Sequence, residues 1–326
     1  MIFSSQTIWY YILKPIEKMK EKKIIYEFED RKRIDKFLAE KFSISRERIK
    51  LLIKRGEILV NSKKTTPSYN LKKGDIISIL KFEIEGKEEI KLEKGNIEII
   101  YEDQHIIVVN KPAGIITHPT NYTKTGTLLN YVLYHTHLSK IGSPLRSGVV
   151  HRLDKETSGV IVFAKTDFAY WYLIQQFKNR QIEKVYIAIV KGKFTPEKKT
   201  VEFTVLPDKE NPTKMKVHFL KGKKAMTEIN LLKYINNDLS VLKVKPITGR
   251  THQIRLTLSY LGYPIIGDEK YGIKSELISR CALHAWKLTI KNPSDNKKKT
   301  FIAEVPSDMN KIAKIPCPLK VLNPED

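Results

Sequence analysis

Short apolar runs follow one another along most of this sequence without helices between them, and this order restricts the fold more than any other feature. From Asn96 onward, two helical stretches, Asp167–Phe177 and Thr251–Leu261, stand among the predicted strands. Those strands are Ile97–Tyr101, Ile106–Val109, Val149–His151, Val160–Phe163, Val185–Val190, Leu242–Val244 and Leu288–Ile290. A doubly wound parallel sheet needs a helix between successive strands. The order therefore favours an α+β fold with a mixed, largely antiparallel sheet.

A smaller unit precedes this β-rich region, between about Phe28 and Leu80. Apolar residues at helical spacing indicate a first helix, and Ser45 as N-cap with another apolar stripe indicates a second. The two stripes are Ile34, Phe37, Leu38 and Phe42, and Ile49, Leu52 and Ile53. Two strands, Ile58–Val60 and Ile76–Leu80, follow the helices. We expect a small α/β unit.

These patterns divide the chain into four segments. We expect an extension at residues 1–27, the small α/β unit at 28–81, a linker rich in Glu and Lys at 82–95 and a large domain at 96–326. Residues 1–18 precede the first clear pattern, so they are either native or a misassigned start.

The chain has a formal charge of +23, from 59 Lys and Arg against 36 Asp and Glu. Such a surplus attracts polyanions, although a lysine-rich proteome would also produce it. Residues 31–81 hold 15 basic and 5 acidic residues, and contacts with nucleic-acid phosphates are mostly electrostatic. Basic residues on and near the second helix are candidates for such contacts, with a solvated helix face as the alternative. They are Arg33, Arg46, Arg48, Lys50, Lys54 and Arg55.

Several classes of protein are disfavoured by what the sequence lacks. Cys281 and Cys317 have no metal-type spacing, and so few cysteines fit a reducing cytoplasm. No apolar run approaches the roughly 20 residues of a membrane span, and the Ile8–Leu13 cluster lacks the flanks of a signal peptide. His135 and His137 have no carboxylate or cysteine at ligand spacing. We expect a cytoplasmic monomer with no metal, nucleotide cofactor or membrane partner.

The densest chemical signal is the segment His-Arg-Leu-Asp-Lys-Glu-Thr-Ser-Gly at 151–159, between two apolar runs. Asp154 lies where the first run gives way to a loop, and rigid elements often present reactive groups from such positions. The alternative is a structural role, in which Asp154 caps the Thr157-Ser158-Gly159 turn and pairs with Lys155. Ser158 and His151 do not form a nucleophile–base pair, because neighbouring strand residues point to opposite faces.

This nine-residue segment resembles the active-site signature of the RluA family of pseudouridine synthases, and other segments between about 96 and 306 resemble the same family. They are Asn110-Lys111-Pro112-Ala113-Gly114 with His118-Pro119, Lys184–Gly192, Gly249–Arg255, Gly262–Asp268 and Leu283-His284-Ala285. The first unit resembles the S4 RNA-binding domain, through Arg33-Ile34-Asp35, Ser45-Arg46 and Ile58–Asn61. Glu156, Ser147 and Ile34 depart mildly from the usual patterns.

The resemblance implies an enzyme that isomerises uridines of RNA to pseudouridine without a cofactor, after the target base has left its stack. It gives Asp154 as the catalytic carboxylate and Arg255 as its ion-pair partner. It also gives Tyr186 as the residue that packs against the base and Arg152 as a helper in base flipping. A solvent-facing arginine and a core tyrosine are the alternatives for Arg255 and Tyr186. The atom that Asp154 attacks first stays open.

An attached S4-like unit makes large-subunit ribosomal RNA the expected partner, with transfer RNA as an alternative. A competing hypothesis is a non-catalytic RNA-binding or ribosome-assembly protein that keeps the fold. It predicts that Asp154→Ala leaves function intact, whereas the enzyme hypothesis predicts that this change abolishes pseudouridine formation.

Overall fold

The computed structural model describes residues 22–42, 46–80, 90–120, 122–142, 145–315 and 321–322. The chain forms two compact units, Met1–Glu89 and Ile90–Asp326. Most of the extension expected at 1–27 and most of the linker expected at 82–95 lie outside the described residues. The division of the chain into four segments therefore stays a prediction.

The first unit combines two helices with a small sheet around one apolar core. Its elements are β1 (Lys22–Ile25), α1 (Ile34–Phe42), α2 (Arg46–Arg55), β2 (Ile58–Val60), β3 (Lys63–Lys64) and β4 (Ile76–Ile79). The described strands pair antiparallel in the order β1-β4-β2-β3. Both predicted apolar stripes lie in the core, except that Phe42 is only packed against it. Ser45, the expected N-cap of α2, lies outside the described residues.

Strand β1 departs from the prediction, because it lies within the segment expected to be an extension. Lys22–Ile25 pairs with Ile76–Ile79 and so belongs to the sheet of the first unit. The Lys-Lys-Ile-Ile run is too short for an alternating pattern to mark it as a strand. The hydrogen bonds of the ladder with β4 stabilise this strand instead.

The second unit is built on one large sheet. Its strands are β5 (Glu98–Glu102), β6 (Ile106–Lys111), β7 (Ser158–Ala164), β8 (Glu183–Lys191), β9 (Lys198–Pro207), β10 (Met215–His218), β11 (Lys223–Tyr234), β12 (Leu239–Pro246), β13 (Leu283–Lys291), β14 (Lys298–Ile302) and β15 (Val321–Leu322). The main path runs β10-β9-β11-β12-β8-β13-β7-β6-β5, and β14 joins β13 to β15. Among these described strands β13 and β7 pair in parallel and the other pairs are antiparallel. The predicted mixed, largely antiparallel sheet is confirmed.

Four helices pack on this sheet within the described residues, and two apolar cores hold the layers together. The helices are α3 (Leu128–His135), α4 (Asp167–Lys178), α5 (Gln253–Tyr260) and α6 (Ser307–Ala313). One core gathers residues of β6, β7, α3 and α4, and the other gathers residues of β8, β12, β13, α5 and α6. Strand β7 is buried along its whole length. Side chains next to this rigid centre are therefore held in place.

The segment Val149–His151 is not a strand, contrary to the prediction. Val149 forms a single bridge with Phe163, and the chain then leaves the sheet. The His151 ring accepts a hydrogen bond from the Val162 amide through Nε2, at 3.1 Å. Because of this departure, residues 152–157 form a loop that precedes β7. No helix in the described part of the chain is both long and apolar enough to cross a membrane.

Candidate active site

A cleft of about 500 Å³ opens beside the loop that precedes β7. Asp154 and Arg152 on this loop, Tyr186 on β8 and Arg255 in the first turn of α5 all line it. The structure thus brings together four residues that the sequence analysis singled out at distant positions. A cleft of this volume lies within the range of small-molecule sites, roughly 300–1,000 Å³. It can hold a single nucleotide base.

Arg255 joins two carboxylates in this cleft. Its Nη1 donates to Asp154 Oδ2 at 3.4 Å, while its Nε and Nη2 donate to the two oxygens of Asp268 at 2.7 and 2.6 Å. The Arg255 side chain is 8% exposed and Asp268 is fully buried, whereas Asp154 is 20% exposed. The solvent-facing alternative for Arg255 is therefore wrong. Asp154 is the carboxylate that faces the cleft.

Asp268 anchors the guanidinium. Besides the two bonds from Arg255, it accepts hydrogen bonds from the backbone amides of Lys270 and Tyr271 at 2.9 and 3.1 Å. Burial alone would raise the pKa of Asp268, but the hydrogen bonds and charge of Arg255 outweigh it and lower that pKa. Burial would likewise lower the pKa of Arg255, and Asp268 raises it instead. Both groups are therefore charged.

The N-terminal end of α5 departs from helical geometry beside Asp154. His252 adopts a left-handed backbone with φ of 54°, so α5 begins at Gln253 rather than at Thr251. Its Nε2 lies 4.0 Å from Asp154 Oδ2, and its Nδ1 lies 3.0 Å from the Tyr271 hydroxyl. A strained residue of this kind is maintained only where its surroundings fix it. Burial lowers the pKa of His252, against the opposing effect of Asp154.

Tyr186 sits at the junction of the two cores of the second unit. It pairs with Val244 of β12 and with Ala285 of β13, and its side chain packs against both cores while lining the cleft. Burial, followed by the charge of Asp154, raises the pKa of Tyr186. The side chain is thus a neutral phenol. Tyr186 is both a core residue and part of the cleft wall. A core position is therefore compatible with the predicted role of packing against the base.

Buried residues from a neighbouring segment hold the loop that carries Asp154. Lys111 is fully buried, and its ammonium donates to the carbonyls of Pro112, Ile115 and Lys155 at 2.8, 2.8 and 3.1 Å. On the other side of Asp154, the Thr117 hydroxyl donates to the Leu153 carbonyl at 2.9 Å and accepts from the Leu153 amide at 3.2 Å. The loop is therefore pinned on both sides of Asp154.

The burial of Lys111 has an electrostatic consequence. Burial lowers the pKa of Lys111 to about 7, although Asp154 and Glu156 raise it.

The roles of Lys111 and Asp268 were not predicted from the sequence, where each residue was only a position in a motif. A charged residue two positions after the end of an apolar run was the available signal for both.

Besides Arg255, five Lys and Arg side chains line the same cleft. They are Arg152, Lys178, Arg180, Lys184 and Arg250. Burial lowers the pKa of Lys184 to about 8, so this lysine is mostly charged at neutral pH. Arg152 is exposed to solvent at the rim of the loop. A cleft with this set of cations is suited to the phosphates of a polyanion.

The basic residues of the first unit divide into two groups. Arg33 and Arg46 both donate to the buried carboxylate of Asp35, at 2.9 Å for each Nη2. Burial alone would raise the pKa of Asp35, but these bonds lower it to about 2. Arg33 and Arg46 therefore have a structural role that was not predicted from the sequence. Each side chain is nevertheless still about half exposed to solvent.

The second group lies along α2 itself. Lys54 and Arg55 are exposed, Lys50 is partly buried, and Arg55 Nη1 lies 3.9 Å from Glu57. The side chain of Arg48 lies outside what the structure describes. Phosphate binding by this set of residues stays a prediction.

The alternative in which Asp154 pairs with Lys155 is wrong. Lys155 lies 4.0 Å from Glu156 rather than against Asp154. Ser158 contacts His284 Nδ1 at 3.0 Å, and His151 contacts β7, so these residues serve the core. Among the residues that the structure describes, no cluster of three or more His, Cys, Asp or Glu could hold a metal ion.

Models of known protein families match both units of the chain. The family model "RNA pseudouridylate synthase" matches residues 105–260, and the model "S4 domain" matches residues 32–77. The chain is 43% identical to ribosomal large subunit pseudouridine synthase D of Borreliella burgdorferi over 235 residues, which is 70% of this chain and 72% of that protein. It is 36% identical to the uncharacterized RNA pseudouridine synthase YlyB of Bacillus subtilis over 280 residues, 85% of this chain and 91% of that protein.

The fold has a counterpart among solved structures. Human RNA pseudouridylate synthase domain containing 1 superposes with a TM-score of 0.53 at 26% identity, over 65% of this chain and 86% of that chain. This match supports the fold, and the sequence relatives show the family. The chain therefore belongs to the RNA pseudouridine synthase family, isomerases that convert uridines of RNA to pseudouridine, and it carries an S4 domain at its N-terminus.

Proposed function

We propose that Asp154 is the catalytic carboxylate of this pseudouridine synthase. The single observation that carries the proposal is the bridge of Arg255 between Asp154 and the buried Asp268. A cation within reach of a carboxylate favours its ionised form. Of the two carboxylates that Arg255 bridges, Asp154 is the one that is open to the cleft. A nucleotide bound in the cleft therefore meets the charged oxygen of Asp154.

The isomerisation breaks the bond between N1 and C1′ of uridine and forms one between C5 and C1′. A proton is lost from C5 and one is gained at N1, so no redox partner is needed. An ionised Asp154 serves addition to C1′, addition to the ring or removal of a sugar proton equally well. Each of these routes needs the uracil to stay in the cleft after the first bond breaks.

We propose that Tyr186 retains the uracil in the cleft and that Arg152 helps to move the nucleotide out of its stack. The neutral Tyr186 phenol beside Asp154 offers a face for the base, and one stacked base contributes about 1–3 kcal/mol. Extruding a base costs a few kcal/mol. Arg152 is a planar cation at the edge of the cleft, so it can fill the vacated stack or hold a phosphate.

We propose large-subunit ribosomal RNA as the substrate. Relatives named ribosomal large subunit pseudouridine synthase D share 43% and 37% identity with this chain, and the S4 domain adds a second basic surface. We further propose that the enzyme acts as a monomer in the cytoplasm. The cleft residues named above all come from one chain, and ribosomal RNA is the proposed partner.

A comparison of modified sites in cells tests both the residue and the substrate. Pseudouridines are mapped in total RNA from cells with the gene, without it, and with Asp154→Ala in its place. We expect specific positions in large-subunit ribosomal RNA to lose the modification without the gene and with the variant alike. Positions restored by Asp154→Ala would refute the catalytic role, and losses confined to transfer RNA would refute the substrate.

A further inference from the structure

A second cavity, of about 430 Å³, lies on the outer face of α4 and is not part of the cleft described above. Phe168 and Trp171 line it while remaining 57% and 52% exposed, and Tyr172 and Lys291 of β13 also belong to the lining. The opposite face of α4 buries Ala169 and Leu173 in the core. Large aromatic side chains left in solvent as a group mark a binding surface more often than scattered ones do.

The spacing of these residues forms one continuous face. Trp171 and Tyr172 follow Phe168 by three and four residues, and Gln175 follows them by four and three, which places these side chains on one side of the helix. The rings of Phe168 and Tyr172 lie 5.7 Å apart at an angle of 36°. An aromatic platform of this kind accepts a flat ring by stacking.

Polar groups at the cavity fit the edge of a nucleobase. The side-chain amides of Gln175 and Gln181 line it, and neither forms a hydrogen bond with a residue in the described part of the chain. An amide side chain offers a donor and an acceptor together, which can pair with a base edge. Lys291 is the charged member of this lining. A basic residue without an acidic neighbour in the lining fits a phosphate-bearing ligand.

The cavity adjoins the catalytic cleft through one short stretch of chain. Lys178 and Arg180, at the end of α4, line the cleft, while Gln181 lines the cavity. Consecutive Cα atoms are about 3.8 Å apart, so Arg180 and Gln181 are immediate neighbours. An RNA strand whose phosphates pass Lys178 and Arg180 on leaving the cleft meets the aromatic face next.

We propose that this cavity binds an unpaired base of the RNA substrate that flanks the target uridine, stacked on Trp171 and Phe168 and held by Gln175 and Gln181. Single-stranded RNA is commonly recognised by such stacking combined with hydrogen bonds to base edges. The inference rests on the RNA substrate of the proposed function, but not on the role of Asp154. It assigns to α4 a part in selecting the sequence around the modified site.

Binding of RNA by full-length Trp171→Ala tests the proposal. The probes are transcribed large-subunit ribosomal RNA and a short unstructured oligonucleotide that carries one 4-thiouridine. Because one stacked base contributes about 1–3 kcal/mol, we expect the Kd for RNA to rise about 5- to 100-fold. Trp171→Phe should keep most of the affinity. In the wild type, ultraviolet crosslinks should fall within the peptide that contains residues 168–181.

The matched control is Tyr134→Ala, which removes an exposed aromatic side chain of α3 that lies outside both cavities. It should bind RNA as the wild type does. The salt dependence of binding should be unchanged in Trp171→Ala, because stacking releases no counterions. Unchanged affinity in Trp171→Ala, or crosslinks that avoid residues 168–181, would overturn the proposal and leave the face to a protein partner. An active Asp154 variant would instead refute the catalytic proposal while leaving these binding results intact.

Discussion

At the scale of single residues, the Arg255 guanidinium organises the cleft because it has two partners of different kinds. Three of its nitrogens are engaged: two with the buried Asp268 and one with the more exposed Asp154. The shorter, bidentate pair fixes the plane of the guanidinium. That plane then sets where Nη1 meets Asp154. We therefore propose that Asp268 is a positioning residue, which acts on Asp154 only through Arg255.

Replacing Asp268 with Asn should slow the reaction without weakening RNA binding. The variant loses one acceptor of the bidentate pair, and a shift of about 1 Å at a catalytic group costs on the order of 100-fold in rate. We expect kcat to fall by about that factor while KM stays close to its original value. The free energy of unfolding should fall by about 3 kcal/mol, because a buried charge loses its partner.

Asp35→Asn is the matched control for this prediction. It weakens another buried Asp held by arginines, but one in the first unit and outside the cleft. We expect lower stability of that unit and an unchanged kcat at saturating RNA. If kcat fell equally in both variants, the effect of Asp268 would be one of stability rather than positioning.

Lys184 should make RNA binding depend on pH. Because burial lowers the pKa of Lys184 to about 8, its charge is present at neutral pH and is lost as the pH rises through that value. A charge-assisted contact contributes about 1.5–3 kcal/mol, so we expect the affinity for RNA to fall about tenfold between about pH 7 and about pH 9. Arginine stays charged throughout this interval. Titration of Lys184→Arg should therefore show a flatter profile, and an identical profile would contradict the assignment.

At the scale of elements, the loop of Asp154 depends on a close approach between β7 and β13. Gly159 has φ of +120°, and a Cβ atom there would lie 2.2 Å from the Ala285 carbonyl oxygen and 2.6 Å from its nitrogen. A side chain would push apart the parallel strands that anchor the loop. Gly114, with φ of +88°, has open space around the corresponding position.

Gly159→Ala should therefore destabilise the second unit much more than Gly114→Ala. The left-handed backbone costs an alanine about 1–2 kcal/mol, and overpacking adds about 1–3 kcal/mol. We expect a loss of about 3 kcal/mol in the free energy of unfolding for Gly159→Ala and about 1 kcal/mol for Gly114→Ala. Denaturant titrations of the two variants measure this difference. Equal losses would show that backbone strain, and not the approach of the strands, sets the cost.

Much of this architecture could be predicted from the sequence, and the reasons for the failures are physical. The strands β6, β7 and β8 are apolar along most of their length, so they could be recognised from the local sequence alone. Strands β9 and β11 escaped prediction because charged residues occupy their exposed positions, and their ladder with each other stabilises them.

The residues of the site also divide into those that local sequence identifies and those that depend on tertiary contacts. Asp154, Tyr186 and Arg255 lie within recognisable motifs, and the structure brings them to one cleft. The pairing of Arg255 with Asp268 could not be predicted from local pattern, because it depends on how the chain turns after α5. The bonds of Arg33 and Arg46 to Asp35 were not predicted either, although Arg33 is only two residues from Asp35, because which side chains pair depends on how the chain folds around the buried carboxylate. These bonds reduce the phosphate-binding role that charge alone predicted for the two arginines.

At the scale of the whole molecule, the residues proposed for catalysis and part of the basic charge lie in separate compact units. The lining of the catalytic cleft comes entirely from the second unit, which has its own apolar cores. The first unit has a core of its own and contributes the exposed cations of α2. Binding and chemistry should therefore be separable by truncation.

Removal of residues 1–89 should weaken RNA binding and flatten its dependence on salt. Each lost contact with a phosphate of single-stranded RNA reduces the slope of log K against log salt by about 0.7. We expect the truncated enzyme to keep pseudouridine formation at saturating RNA. Filter binding at several salt concentrations measures the slope, and a slope equal to that of the full chain would leave the S4 domain without a role in RNA binding.

Single-turnover formation of pseudouridine by Asp154→Asn, with RNA affinity measured on the same protein, tests whether the reaction requires the Asp154 carboxylate. The amide keeps the shape of the side chain but removes its charge, and Glu156→Gln provides the same change at the neighbouring carboxylate that pairs with Lys155. We expect no product from Asp154→Asn, near-normal RNA affinity, and an active Glu156→Gln. Product formation by Asp154→Asn at the wild-type rate would refute the catalytic role of Asp154.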